Sequence, residues 1–123
     1  MFSIDVMSSR PVYEQVIAQL ERFILTGVLK PGDQLPSVRG LSVRLSINPN
    51  TIQKAYSELD RRGIIYPVPG RGCFISENAF PLLGEARRRE LATLESLARE
   101  LALAGIKKSE VMEAVEKAYA DPP

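Results

Sequence analysis

Asn50, Thr51, Gln53 and Lys54 place two carboxamides, a hydroxyl and an ammonium group within five residues of one another. None of these groups is a ready nucleophile or a general base near neutral pH. Their common chemistry is recognition. Asparagine and glutamine can pair two-pronged with adenine, threonine can bond a base edge or touch a thymine methyl, and lysine reaches guanine or phosphate. The rest of the chain offers little chemistry of other kinds. Its 123 residues include no histidine and one cysteine, Cys73. That composition removes the commonest general base and metal ligand, any internal disulfide and any multi-cysteine metal site. Tyr13, Tyr56, Tyr66 and Tyr119 are better placed as core or interface residues than as catalytic groups. The expectation is a non-catalytic protein with no cofactor and no metal.

The elements that must position these residues follow from periodicity and punctuation. With Asn48 as N-cap, Pro49 falls at the first helical position, where a missing N–H costs nothing. Winding on to Gly63 at about 100° per residue gathers Ile52, Ala55, Tyr56 and Leu59 on one side. Asn50, Lys54, Ser57 and Arg61 cluster opposite, with Thr51 and Gln53 on the shoulders. A recognition helix needs this order, because its first turns approach base edges and its dipole end favours phosphate.

A short helix over Val38–Leu45, capped by Ser37, precedes it across the turn Ser46-Ile47-Asn48. The pair has the lengths of a helix-turn-helix, with Arg39 and Arg44 placed to meet phosphate. Upstream, Tyr13, Val16, Ile17, Leu20, Phe23 and Ile24 form a helical stripe from Pro11 to Thr26, with Pro11 in its first turn and Gly27 after it. The segment "VLKPGDQLPS" turns and runs extended around Gln34 and Leu35. Downstream, two short extended segments, about Ile64–Val68 and Cys73–Ser76, flank a "PGRG" turn that carries Gly70 and Arg71. Pro67 makes the first of them an edge or irregular strand. Three helices and a small hairpin describe a winged helix, so the fold class is mainly α with a small β-hairpin.

Charge points the same way. From Arg39 to Arg71 there are six basic residues and two acids, a local excess of +4 in a chain whose total is +1. A basic patch on a near-neutral protein suits a polyanion.

After about Asn78 the character changes. "EARRRELATLESLARELALAG" reads as one helix with Leu91, Leu94, Ala98 and Leu101 at alternating spacings of three and four, widened by Leu97. Ser109 is placed to cap a last helix whose stripe is Val111, Met112, Val115 and Tyr119. The expected organisation is a winged helix-turn-helix domain over residues 1–78 and a two-helix dimerisation region over 79–123. Two such stripes need a further surface, and the leucine spacing approaches a coiled-coil seam, which favours a second copy of the chain over an intramolecular hairpin. No apolar run is long enough to span a membrane and the first residues lack the pattern of a secretory signal, which together fit a cytoplasmic protein.

At this level of detail the stretch "GVLKPGDQLPSVRGLSVRLSINPNTIQKAYSELDRRGIIYPVPGRGCFIS" closely resembles the DNA-binding domain of the GntR family of bacterial transcription regulators. The form "NPNTIQKAYSELDRRGII" with a short helical tail is similar to the YtrA-like subfamily. The likeness implies that Arg39 reads a base near an operator's centre. It implies that Asn50 and Thr51 contact base edge and phosphate, and that Gln53 and Lys54 occupy contact positions of the same helix. By the same likeness Gly70 enters the minor groove, with Arg71 beside it. It implies dimers on inverted repeats of double-stranded DNA, most often as repressors. Many members also release DNA when a small effector binds, and here only a cleft between the tail helices and the winged domain is left for one. One departure is Gly40, which stands where the family usually completes a capping box with Ser37. Loss of the reciprocal bond and the helix cost of glycine weaken that helix start by roughly 1–2 kcal/mol. The competing expectation is a winged helix used as a protein-interaction module, which would show little salt-dependent DNA affinity.

Overall fold

A computed structural model describes residues 3–121. Its elements are α1 (Val12–Leu25), α2 (Val38–Leu45), α3 (Pro49–Arg61), β1 (Ile65–Val68), β2 (Gly72–Ile75), α4 (Ala79–Arg87), α5 (Glu90–Leu103) and α6 (Lys108–Ala120). The chain divides into two compact units, residues 1–84 and 85–123.

The first unit is built on one apolar core. Val16, Ile17, Leu20 and Ile24 of α1 meet Leu41 of α2 and the stripe Ile52, Ala55, Tyr56 and Leu59 of α3, all buried. Helix α1 begins after Pro11, which is its N-cap rather than part of its first turn. The Pro11 carbonyl accepts the N–H groups of Glu14 and Gln15, so no side-chain cap is required. An N-terminal strap lies along α1 and is held by two glutamines one turn apart. Gln15 accepts the Asp5 N–H at 2.8 Å and donates to the Asp5 carbonyl at 2.9 Å, and Gln19 pairs in the same two ways with the main chain of Ser3.

The turn between α2 and α3 closes through Ser46, whose φ of 54° is the only positive value at a non-glycine residue among those described. Buried Ser42 donates its hydroxyl to the Ile47 carbonyl, and no buried side-chain polar atom is left unpaired among the described residues. At the start of α2, Ser37 Oγ accepts the Gly40 N–H at 2.9 Å, so half of the capping box forms and the reciprocal half has no side chain to make it.

The strands pair antiparallel with Ile65 opposite Ile75 and Val68 opposite Gly72. The extended segment around Gln34 joins the hairpin through a bridge to Phe74, with Leu35 N–H donating to the Cys73 carbonyl and Ile75 N–H to the Asp33 carbonyl.

Three expectations need correcting. Residues Ala79 and Leu83 of α4 are buried in the core of the first unit. The division between units therefore falls after Gly84, six residues beyond the boundary read from composition. Helix α4 is separate from α5, because around Arg88 and Arg89 the α-helical bonding gives way to tighter turn bonds, Arg88 N–H to the Glu85 carbonyl and Leu91 N–H to the Arg88 carbonyl. The second unit carries α5 and α6, in which no residue is buried. Ser109 lies inside the first turn of α6 and does not cap it; the N-cap is Lys107, with no side-chain bond. Among the described residues no helix is long and apolar enough to cross a membrane.

Candidate nucleic-acid interface

Helix α3 sorts its residues as the 100° winding requires. Ile52, Ala55, Tyr56 and Leu59 are buried, Thr51 is half-buried on the shoulder, and Asn50, Gln53, Lys54, Ser57 and Arg61 are exposed. Asn48 accepts the Asn50 N–H at 2.8 Å and Pro49 occupies the first helical position. The amide-bearing end therefore projects with its first turn ordered. Gln53 Nε2 donates to Ser57 Oγ at 3.1 Å, which links two of the expected contact residues along the outward face.

Besides the packing of Leu41, a buried hydroxyl of α3 ties down the chain that leads into α2. The Tyr56 hydroxyl donates to the Pro36 carbonyl at 2.7 Å, immediately before the Ser37 cap and three residues before Arg39. Burial, with a smaller contribution from Cys73, pushes the Tyr56 phenol well above its ordinary pKa, so it remains a donor throughout the accessible range. Tyr56→Phe is expected to lower stability by about 1–2 kcal/mol with packing retained, as equilibrium urea unfolding would measure. A midpoint equal to that of the parent would show that the bond does not hold α2. Cys73, half-buried in β2, has its thiol pushed up by burial and next by Asp60, which disfavours the reactive thiolate.

The wing tip is the turn Val68-Pro69-Gly70-Arg71, closed by Arg71 N–H donating to the Val68 carbonyl at 2.9 Å. Gly70 has φ of 76°, as the third residue of a type II turn must, and no atom lies within 4 Å of where a Cβ would stand. Only glycine combines this conformation with so small a profile. Behind the tip, Gln34 Nε2 donates to the Arg71 carbonyl at 2.7 Å, and a Cβ on Gly72 would lie 2.7 Å from that same nitrogen. The Tyr66 and Phe74 rings stack across the strands at 5.8 Å and stiffen the hairpin.

The basic residues of the Arg39–Arg71 window fall into two classes. Arg39, Arg44, Lys54 and Arg71 are exposed and have no carboxylate partner among the described residues. Arg61 and Arg62 are both bound to Glu58, at 2.5 and 2.7 Å, and Arg62 also reaches Glu21 at 3.4 Å. Hydrogen bonds from Arg61 first and Arg62 second hold the Glu58 carboxyl at about 2. The contribution of these pairs is therefore complete above the ordinary value of 4.5 and is lost as pH falls through about 2.

Sequence reasoning missed two neighbours of the site. The Lys54 ammonium lies 3.9 Å above the centre of the Tyr13 ring, a cation–π contact across 41 positions of sequence. Lys54 and Ser57 thereby share a groove between α1 and α3 with Tyr13 and Arg10. The only sequence signal was Tyr13 at the margin of the α1 stripe. Gly70 and Arg71 belong to a separate recess on the wing with Gln34, Tyr66 and Phe74.

Comparison with known proteins agrees with this geometry. Residues 12–75 match the family described as bacterial regulatory proteins, gntR family. The chain is 43% identical to the HTH-type transcriptional repressor YtrA of Bacillus subtilis (strain 168), over 98% of this chain and 94% of that one. Its structure is similar to that of a transcriptional regulator from Oenococcus oeni, with a TM-score of 0.75 and 35% identity over 95% of this chain and 98% of that one. It is also similar to the AraR DNA-binding domain in complex with operator ORX1, with a TM-score of 0.54 and 28% identity over 62% of this chain and 93% of that one. The winged helix, the ordered amide-bearing helix start and a relative aligned over nearly the whole chain lead to one assignment: this protein belongs to the GntR family of bacterial regulatory proteins.

Proposed function

We propose that the protein is a transcriptional repressor that binds a two-fold symmetric DNA operator as a homodimer. The observation that carries this reading is the pairing pattern of the cations. Those around the amide-bearing end of α3 and at the wing tip are left without carboxylates, while the two at the far end of the helix are neutralised. A surface built to meet phosphate needs its cations unpaired.

In this reading α3 lies in the major groove with Asn50 and Gln53 at base edges and Thr51 at base or phosphate. Lys54 and Ser57 follow the backbone towards the α1 groove. Arg39 reads a base, Arg44 meets phosphate, and Gly70 and Arg71 follow the minor groove. Dimerisation is assigned to the tail. Leu91, Leu94 and Leu97 of α5 and Tyr119 of α6 are exposed, while Ala98, Leu101, Val111 and Val115 are half-buried. Such a surface on two amphipathic helices calls for a partner, and a second copy supplies matching stripes and the two-fold axis of a palindrome.

Selection of bound duplexes from random DNA tests the reading. A consensus with dyad symmetry is the expected outcome. Absence of any enrichment would favour a winged helix that docks on protein instead.

A further inference from the structure

Glu58 begins the last turn of α3, where the helix dipole disfavours an acid and favours the arginines that follow. Both of its carboxylate oxygens are used. Oε1 accepts from Arg61 Nε at 3.1 Å, and Oε2 accepts from Arg61 Nη2 and from Arg62 Nε. Arg61 is thus gripped on both prongs of its guanidinium although its side chain is 71% exposed. It lies on the outward stripe with Asn50, Lys54 and Ser57, one turn beyond Ser57. Unpaired, it would be the next cation of that stripe. Exposed pairs three and four residues apart add little to stability, so holding the helix together is a weak reason for an acid in an unfavourable place.

We infer that Glu58 is a specificity-determining residue that withholds Arg61 and Arg62 from DNA phosphates and thereby limits sequence-blind affinity. The inference rests on the DNA-binding reading above. It acts through the general physics of phosphate contact: each cation that neutralises a phosphate adds about 0.9 to the slope of log affinity against log salt, whatever the base sequence. A regulator that must leave random duplex readily gains by limiting such contacts, because discrimination is the ratio of cognate to random affinity. Arg39, Arg44, Lys54 and Arg71 remain for positioning, and the clamp keeps the far end of α3 from adding to them.

The test compares the intact protein with Glu58→Gln on a random-sequence duplex across a salt series. The control is Glu14→Gln, which removes the same charge from an acid of the same groove that forms no ion pair among the described residues. Glu58→Gln should bind random duplex about 3- to 10-fold more tightly near 0.1 M salt, with a slope steeper by about 1 to 2. Glu14→Gln should change little. Adding Arg61→Gln to Glu58→Gln should remove at least half of the gain. Arg61→Gln alone should change random-duplex affinity by less than about 2-fold, since that arginine is already neutralised. Equal effects of Glu58→Gln and Glu14→Gln would overturn the inference, as would a gain that survives loss of Arg61, while leaving DNA binding intact. A parent protein that shows no salt-dependent affinity for any duplex would overturn both this inference and the proposed function.

Discussion

A chain carrying Leu94→Glu together with Leu101→Glu is expected to be a monomer whose affinity for a two-half-site operator is lower by about 10²–10⁴-fold. Its affinity for an isolated half-site should stay within about 3-fold. The magnitude comes from tethering: once one winged domain is bound, the second meets its half-site at an effective concentration set by the dimer, and a monomer loses that term altogether. The choice of residues comes from α5. Leu94 is 47% exposed between Leu91 at 59% and Leu97 at 56%, so the helix carries a row of half-exposed leucines. Burying the exposed half of each against a second copy is worth about 1 kcal/mol, whereas a buried unpaired carboxylate costs several. Glutamate is a good helix former, so α5 itself should persist. Sedimentation equilibrium would report the mass and fluorescence anisotropy the two affinities. A double variant that remained dimeric would place the dimer contact elsewhere on the molecule.

Arg39→Ala should weaken cognate binding by about 1–3 kcal/mol while changing random-duplex affinity only a few-fold, and base preference should relax at one position of each half-site. Arg39 is the second residue of α2, exposed and unpaired among the described residues. Its place is set by the Ser37 cap on one side and by the Tyr56–Pro36 bond on the other. A guanidinium on so constrained a backbone can present both prongs to the acceptor edge of guanine, and lysine cannot reproduce that geometry. Arg39→Lys should therefore recover the salt dependence and not the preference. Equal losses on cognate and random DNA would assign Arg39 to the phosphate backbone instead.

Where local rules dominate, the fold was legible. Helix α2 runs over Val38–Leu45 as its stripe and cap require, and α3 begins at Pro49 because a proline after a capping asparagine can start a helix and do little else. The wing was legible for the same reason, since "PGRG" between two β-branched and aromatic runs admits few conformations. Helix α4 was not. No stripe or cap marks it, and Pro81 is tolerated as its third residue because its absent N–H has no intrahelical partner to lose. The interruption at Arg88 and Arg89 falls in a stretch of good helix formers with neither glycine nor proline, and nothing local marks it. The interface was half legible. Residue types and helical phase named the outward face of α3. Which cations are free was only partly legible: the Glu58 pairs are three and four residues apart, but the Lys54–Tyr13 and Arg62–Glu21 contacts each span 41 positions.

The two glutamines of α1 grip the strap before it by backbone atoms alone. Gln15 and Gln19 touch the N–H and carbonyl of residues 5 and 3, and neither bond depends on which side chains those residues carry. A clasp of this kind is indifferent to the text it holds. Among relatives that share it, positions 15 and 19 should stay fixed as amides while the strap drifts, so that constancy marks the hand and variation the thread.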